Sequence, residues 1–165
     1  MELQKRSFVR IIESNHGIIK SLCNAYYVSA DDRKDVFQDI VLQLWKSFET
    51  FRGESEISTW IYRVSLNTIL AKVRNEKKKI TAESLGSLEL SFPNADDDTE
   101  LLNRILHYLQ GHDKAIVILY LEGYKNKEVA QMLNLTPTNV STRLNRVKAD
   151  LKAKFKIHQY EFKQP

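Results

Sequence analysis

Residues that staple or interrupt a fold are scarce in this chain. One cysteine, Cys23, occurs in 165 residues. That excludes an intramolecular disulfide and suits a reducing compartment. Cys23 has no Cys or His at ligand interval, and His16, His107, His112 and His158 assemble no complete metal-ligand pattern with it. The only prolines, at 93, 137 and 165, leave every helical pattern unbroken. Glycine is too sparse for a phosphate-cradling loop. The longest apolar run, Ala115 to Leu121, is far short of the ~20 residues that cross a bilayer. Glu2, Lys5, Arg6, Arg10 and Glu13 leave no apolar stretch for a signal peptide. A cytoplasmic protein without membrane insertion, cofactor or metal is expected. An enzyme is not: the acidic run Asp96, Asp97, Asp98 is the only candidate Mg²⁺ site, and consecutive loop carboxylates point different ways.

What the chain does have is patterned charge. Its net charge of +4 is unevenly spread. Residues 1–80 carry 14 basic and 10 acidic side chains, residues 81–102 carry six acids and no base, and residues 103–165 carry 11 basic and five acidic side chains. Two basic blocks flanking an acidic segment suit two polyanion-binding modules and a connector. The segment "ITAESLGSLELSFPNADDDTE" holds the chain's only mixture of Gly, Pro, Ser and acid runs. No stretch alternates at strand period, and no internal repeat is found. The reading is all-α: two small helical domains, residues 1–80 and 101–165, joined by a flexible acidic linker over 81–100.

The most informative stretch is "LNLTPTNVSTRLNRV", residues 133–147. Thr136 before Pro137 predicts a helix start, a hydroxyl cap followed by proline in the first turn. Val140, Leu144, Val147, Leu151 and Phe155 then form one apolar stripe. At ~100° per residue, Thr138, Asn139, Thr142, Arg143 and Arg146 cluster on the opposite face. Upstream, "NKEVAQMLN" is a short amphipathic helix ending at Asn134, which tolerates a left-handed backbone. Helix, tight turn and helix with a short polar face is the helix-turn-helix pattern. Asn pairs with adenine, Arg with guanine, and Thr reaches phosphates or thymine methyls. The plainer alternative is a solvated face on a core helix.

In the N-terminal half, "DDRKDVFQDIVLQLWKSF" is helical, with Val36, Phe37, Ile40, Val41, Leu44 and Phe48 on one broad face. Asp35, Gln38, Asp39 and Lys46 lie opposite, and Leu42 sits among them. An apolar residue within an acidic, amide-bearing stripe suits docking of a basic partner helix, or is one exposed leucine on a solvated face. After a loop at Gly53, Ser58 is the expected cap of a helix reaching about Lys79. On it Arg63, Asn67, Arg74, Lys77 and Lys78 fall within roughly 100° of arc. Thr59 and Trp60 flank that stripe, which could hold phosphates and unstacked bases. The competing reading, preferred for the aromatics, places Trp60 and Tyr62 in the core.

Together, "DRKDVFQDIVLQLW", "FRGESEISTWIYRVSLNTIL" and the C-terminal helix-turn-helix resemble bacterial RNA polymerase sigma factors of the compact extracytoplasmic-function type. The resemblance covers roughly residues 10–79 as region 2 and 100–157 as region 4. It implies that Asp35, Gln38, Asp39 and Leu42 dock on core polymerase. It implies that the loop from Phe51 to Glu56, including Arg52, engages the −10 element with Ser58, Thr59, Trp60, Arg63, Asn67 and Arg74, capturing an extruded base. Thr138, Asn139, Thr142, Arg143 and Arg146 would read the −35 element. Core polymerase and promoter DNA are the implied partners, and an anti-sigma factor is a further one the resemblance allows. The chain departs from the family pattern with Asp39 for the usual Glu, Asn134 for the usual turn Gly, and Lys125 for a common Ser, which passes capping of the first helix to Asn126. A helix-turn-helix regulator acting without core polymerase is the rival reading. An enzyme such as a nuclease is the weaker one.

Overall fold

A computed structural model describes residues 1–80 and 97–155, with side chains described for residues 1–77 and 99–155. Among these residues the secondary structure is helical throughout: α1 (Glu2–Tyr26), α2 (Ala30–Phe48), α3 (Ile57–Ile80), α4 (Asp97–Tyr108), α5 (Gly111–Leu121), α6 (Asn126–Leu133) and α7 (Pro137–Phe155). The chain divides into two compact units, residues 1–85 and 86–165.

In the first unit, α1, α2 and α3 pack pairwise on one another. Ser29 caps α2, its side chain accepting from the Asp32 N–H at 3.4 Å, with Asp31 and Asp32 in the first turn where the helix dipole favours them. Val36, Ile40 and Leu44 of the expected α2 face are fully buried against Ile19 and Leu22 of α1 and Ile61, Leu66 and Ile69 of α3 as one core. Phe37, Val41 and Phe48 are half-buried at its margin.

One aromatic cluster ties the unit together. Phe8 stands edge-on to Trp45 with centroids 5.0 Å apart and lies 5.4 Å from Phe48. Trp60 continues the cluster, 6.2 Å from Phe48 and 4.9 Å from Phe51. Ring pairs at such separations add to the burial of their area. Phe51 thereby pins the loop between α2 and α3 to the start of α3.

α3 begins ahead of the expected cap. The Trp60 N–H donates to the Glu56 carbonyl at 3.1 Å, so Ser58 lies inside the first turn. Periodicity fixes a helix's face better than its first residue.

The second unit builds its core from Ala115, Ile116, Leu119, Val129, Leu133, Val140, Leu144 and Leu151, all at most one-twentieth exposed. Gly123, at φ +90°, ends α5. The Gly123 N–H donates to the Tyr120 carbonyl and the Tyr124 N–H to that of Leu119, each at 3.1 Å, the paired closure that a left-handed glycine permits. α4 docks through Ile105 and Leu109, and its Tyr108 meets Phe155 of α7 at 5.9 Å. Residues 97–100, expected in the linker, form the first turn of α4. The remaining linker, 81–96, with Asp96 in it, lies outside the described residues, as do His158 and the side chain of Lys78.

Candidate nucleic-acid interface

The segment from α6 to α7 is a helix-turn-helix in which each junction has a chemical cause. Glu128 reaches back to accept the Lys125 N–H at 2.8 Å, which caps α6. Asn126, expected to cap, is instead the first helical residue, because the Glu128 carboxylate, three residues beyond Lys125, satisfies the exposed Lys125 N–H. Asn134 takes the left-handed conformation at φ 59° and ψ 41°, as its side chain allows, and the Leu135 N–H donates to the Ala130 carbonyl at 2.9 Å. Thr136 then starts α7: its hydroxyl accepts the Asn139 N–H and its carbonyl the Val140 N–H, both at 3.1 Å.

Of the α7 stripe, Val140, Leu144, Val147 and Leu151 are buried and Phe155 is half-buried. Thr138, Asn139, Thr142 and Arg146 are exposed on the far side, as the spacing requires. Arg143 is half-buried, and the sequence gives no sign of its partner on another helix. Its Nε donates to Asn139 Oδ1 at 2.9 Å, and one terminal nitrogen donates to Asp113 Oδ1 at 2.8 Å. Arg146 reaches the other Asp113 oxygen at 3.0 Å. Asp113 stands in the first turn of α5, thirty residues from Arg143. The carboxylate and both arginines therefore form one network across two helices. Because Arg only donates, the Asn139 atom facing it is the oxygen. The oxygen's second lone pair and the amide N–H groups remain able to pair bidentately with adenine.

In the first unit, Asp35, Gln38 and Leu42 are exposed on α2, Leu42 at 49%. Asp39 is only half-exposed: the Lys72 ammonium of α3 donates to its carboxylate at 2.6 Å. That hydrogen bond holds the Lys72 ammonium above its ordinary range. Asp39 is thus half of a cross-helix pair, a contact that spacing along α2 could not reveal.

A groove of about 730 Å³ between α2 and α3 is lined by Asp39 and Gln43 on one wall and by Arg63, Asn67 and Lys72 on the other. It brings one residue of the expected polymerase-docking set beside two of the expected −10 set. Arg63, Asn67, Arg74 and Lys77 are all exposed along α3, and Arg52 is exposed in the preceding loop.

Trp60 departs from its place in the −10 set. It is 2% exposed, its ring enclosed by Phe48 and Phe51. A base has no open ring face to stack on there, so the core placement preferred for this aromatic is the observed one. Tyr62 is buried too. Ser58 and Thr59 are half-buried beside it.

Residues 11–79 match the family profile of Sigma-70 region 2, and residues 99–151 match that of Sigma-70 region 4. The chain belongs to the sigma-70 family, in its extracytoplasmic-function group. It is 29% identical to an extracytoplasmic-function RNA polymerase sigma-E factor of Haemophilus influenzae, over 87% of this chain and 85% of that protein. It is 26% identical to the SigM factor of Mycobacterium tuberculosis, covering 88% of this chain and 75% of that one. Among solved structures it resembles the sigma factor RpoE of Bartonella quintana, crystallised with the anti-sigma factor NepR, with a TM-score of 0.72 over 96% of this chain and all of that one at 14% identity. It also resembles CnrH in complex with the cytosolic domain of CnrY, with a TM-score of 0.62 over 94% and 91% of the two chains at 18% identity.

As a sigma factor, the protein binds core RNA polymerase and directs it to promoter DNA for initiation. That reading displaces the stand-alone regulator, whose N-terminal half would carry no region 2. Among the described residues, no group of three or more His, Cys, Asp or Glu is placed to hold a metal. No helix there is long and apolar enough to cross a membrane.

Proposed function

We propose that the two units divide promoter recognition: residues 1–80 engage core polymerase and the −10 element, residues 101–165 engage the −35 element, and 81–100 connect them. The carrying observation is the two-sided build of α7. Its apolar stripe closes the unit's core while Thr138, Asn139, Thr142, Arg143 and Arg146 lie on or beside the exposed face that begins immediately after the turn. The N-terminal end of a second helix in this motif is the part that meets base edges in the major groove. Lys148, Lys152 and Lys154 further along α7 suit contacts to the phosphate backbone.

On the first unit, Asp35, Gln38, Asp39 and Leu42 supply an acidic, amide-bearing rim around one apolar residue, fitted to a basic helical partner on the polymerase. Arg52, Ser58, Thr59, Arg63, Asn67 and Arg74 take the opened −10 strand, and Trp60 supports them from beneath by fixing the loop through Phe51. Flipping a base costs a few kcal/mol, which contacts in the loop and along the α2–α3 groove offset. The protein acts in the cytoplasm and carries no catalytic activity of its own. Because RpoE was crystallised with the anti-sigma factor NepR, and CnrH was solved in complex with the cytosolic domain of CnrY, sequestration by an anti-sigma factor is the expected control.

In vitro transcription with core polymerase on a promoter library tests the proposal. Transcripts confined to promoters with one −35 and one −10 consensus support it. Absence of promoter-specific transcripts, with the protein bound to core, would rule it out.

A further inference from the structure

The geometry points to Asp113 as a positioning residue that sets −35 selectivity without touching DNA. This inference rests on the assignment of α7 as the −35 reader.

Asp113 is one quarter exposed at the side chain and joins two arginines one turn apart: Arg143 at 2.8 Å and Arg146 at 3.0 Å, each on its own oxygen. Three consequences follow from the chemistry. First, the carboxylate restricts two long side chains that would otherwise sample many rotamers, so their ordering is achieved before DNA arrives. Second, Arg143 has two of its three guanidinium nitrogens committed, Nε to Asn139 and one terminal nitrogen to Asp113. The chain Asn139–Arg143–Asp113–Arg146 then fixes which donors the helix turns outward. Third, a fixed negative charge beside two cations lowers the attraction of this face for any phosphate. Sequence-independent grip on the backbone is therefore weakened relative to contacts with base edges. A carboxylate that opposes indiscriminate binding in this way favours the correct partner by penalising the others.

Removing the charge while keeping the shape, by Asp113→Asn, frees both arginines. Discrimination between the preferred −35 sequence and its single-base variants is expected to fall roughly tenfold, the scale set by loss of one well-oriented base contact. Binding of holoenzyme to promoter-free duplex should tighten. Its log–log salt slope should steepen by about one, as a released arginine finds a phosphate. Asp113→Glu keeps a carboxylate in reach and should restore the wild-type preference and slope.

The experiment compares wild type, Asp113→Asn and Asp113→Glu as full-length holoenzyme. It uses a library randomised at −35, salt-titrated binding to promoter-free duplex, and thermal melting of each variant. A base-preference profile and salt slope unchanged in Asp113→Asn would overturn the inference. So would a uniform loss at every sequence, unrelieved by Asp113→Glu, since that marks a purely structural salt bridge. Asn139→Ala and Arg146→Ala, run alongside, separate the two levels. If they shift −35 selection and Asp113→Asn does not, only the role of Asp113 fails. If they leave −35 selection unchanged, the assignment of α7 fails and the inference with it.

Discussion

Gly17 sits in the interior of α1, exposed, and a Cβ added there meets nothing within 4 Å. Its cost is conformational freedom in the unfolded chain, with no close approach to justify it. Gly17→Ala should raise stability by about 0.5–1 kcal/mol, read as a higher chemical-denaturation midpoint. Trp60 is the opposite case. Its burial between Phe48 and Phe51 makes Trp60→Ala a large cavity in a small unit, with an expected loss of about 3–5 kcal/mol. A variant that melts like wild type yet fails only in promoter opening would move Trp60 from the core back to the DNA. Lys114 is buried, and burial pushes its ammonium down from 10.5 to about 8. The folded chain then holds fewer protons than the unfolded one between those values, so stability rises with pH across that interval. His107, beside it and also lowered by burial, titrates below its ordinary 6.5 and acts in a lower window. Burial raises Cys23 from 9.0 to about 11, which works the other way above pH 9. From pH 8 to 9 the unfolding free energy should therefore climb by ~1 kcal/mol, and Lys114→Met should flatten that climb. A wild-type profile already flat there would contradict the buried charge.

At the scale of the element, α7 is where sequence and proposed function meet. Its start was legible because Thr136 and Pro137 act locally, and its faces were legible because helical period is fixed by backbone geometry. The same holds for the α2 face and for the turn at Asn134. The misplaced caps at Ser58 and Asn126 show the limit. Several polar residues near a helix start compete for the same donors, and the winner depends on which side chain reaches back, as Glu128 does. The ion pairs were not legible at all. Lys72 and Asp39 are 33 residues apart, and Arg146 and Asp113 are likewise 33 apart. Nothing along either helix encodes a partner on another. Because the stripe and the reading face are separate, substitutions on one should spare the other. Asn139→Ala or Arg146→Ala should reduce −35-dependent initiation about tenfold while core binding and melting stay within error. Equal loss of core binding would make the face structural.

For the whole molecule, the proposed division of labour makes recognition shared. Weak contacts at two promoter elements become useful affinity when both modules ride on one polymerase, because the second contact is then effectively intramolecular. Loss of core docking should accordingly silence every promoter alike. Asp35→Lys with Asp39→Lys reverses charge on the α2 rim and should abolish co-migration with core polymerase in size-exclusion chromatography, leaving helical content intact. Retained stoichiometric association would remove that face from the account. The exposed Asp35 should carry more of the effect than Asp39, whose carboxylate is already shared with Lys72.

The amino-acid sequence alone determined the helical class, the two basic units, the apolar stripes and the polar face of α7, since each follows from local spacing and the intrinsic chemistry of neighbouring residues. Only the tertiary structure decided that Trp60 is enclosed, that Asp39 is paired and that Asp113 grips both arginines. Those outcomes depend on which helices pack together, and packing brings together side chains that the chain itself keeps thirty residues apart.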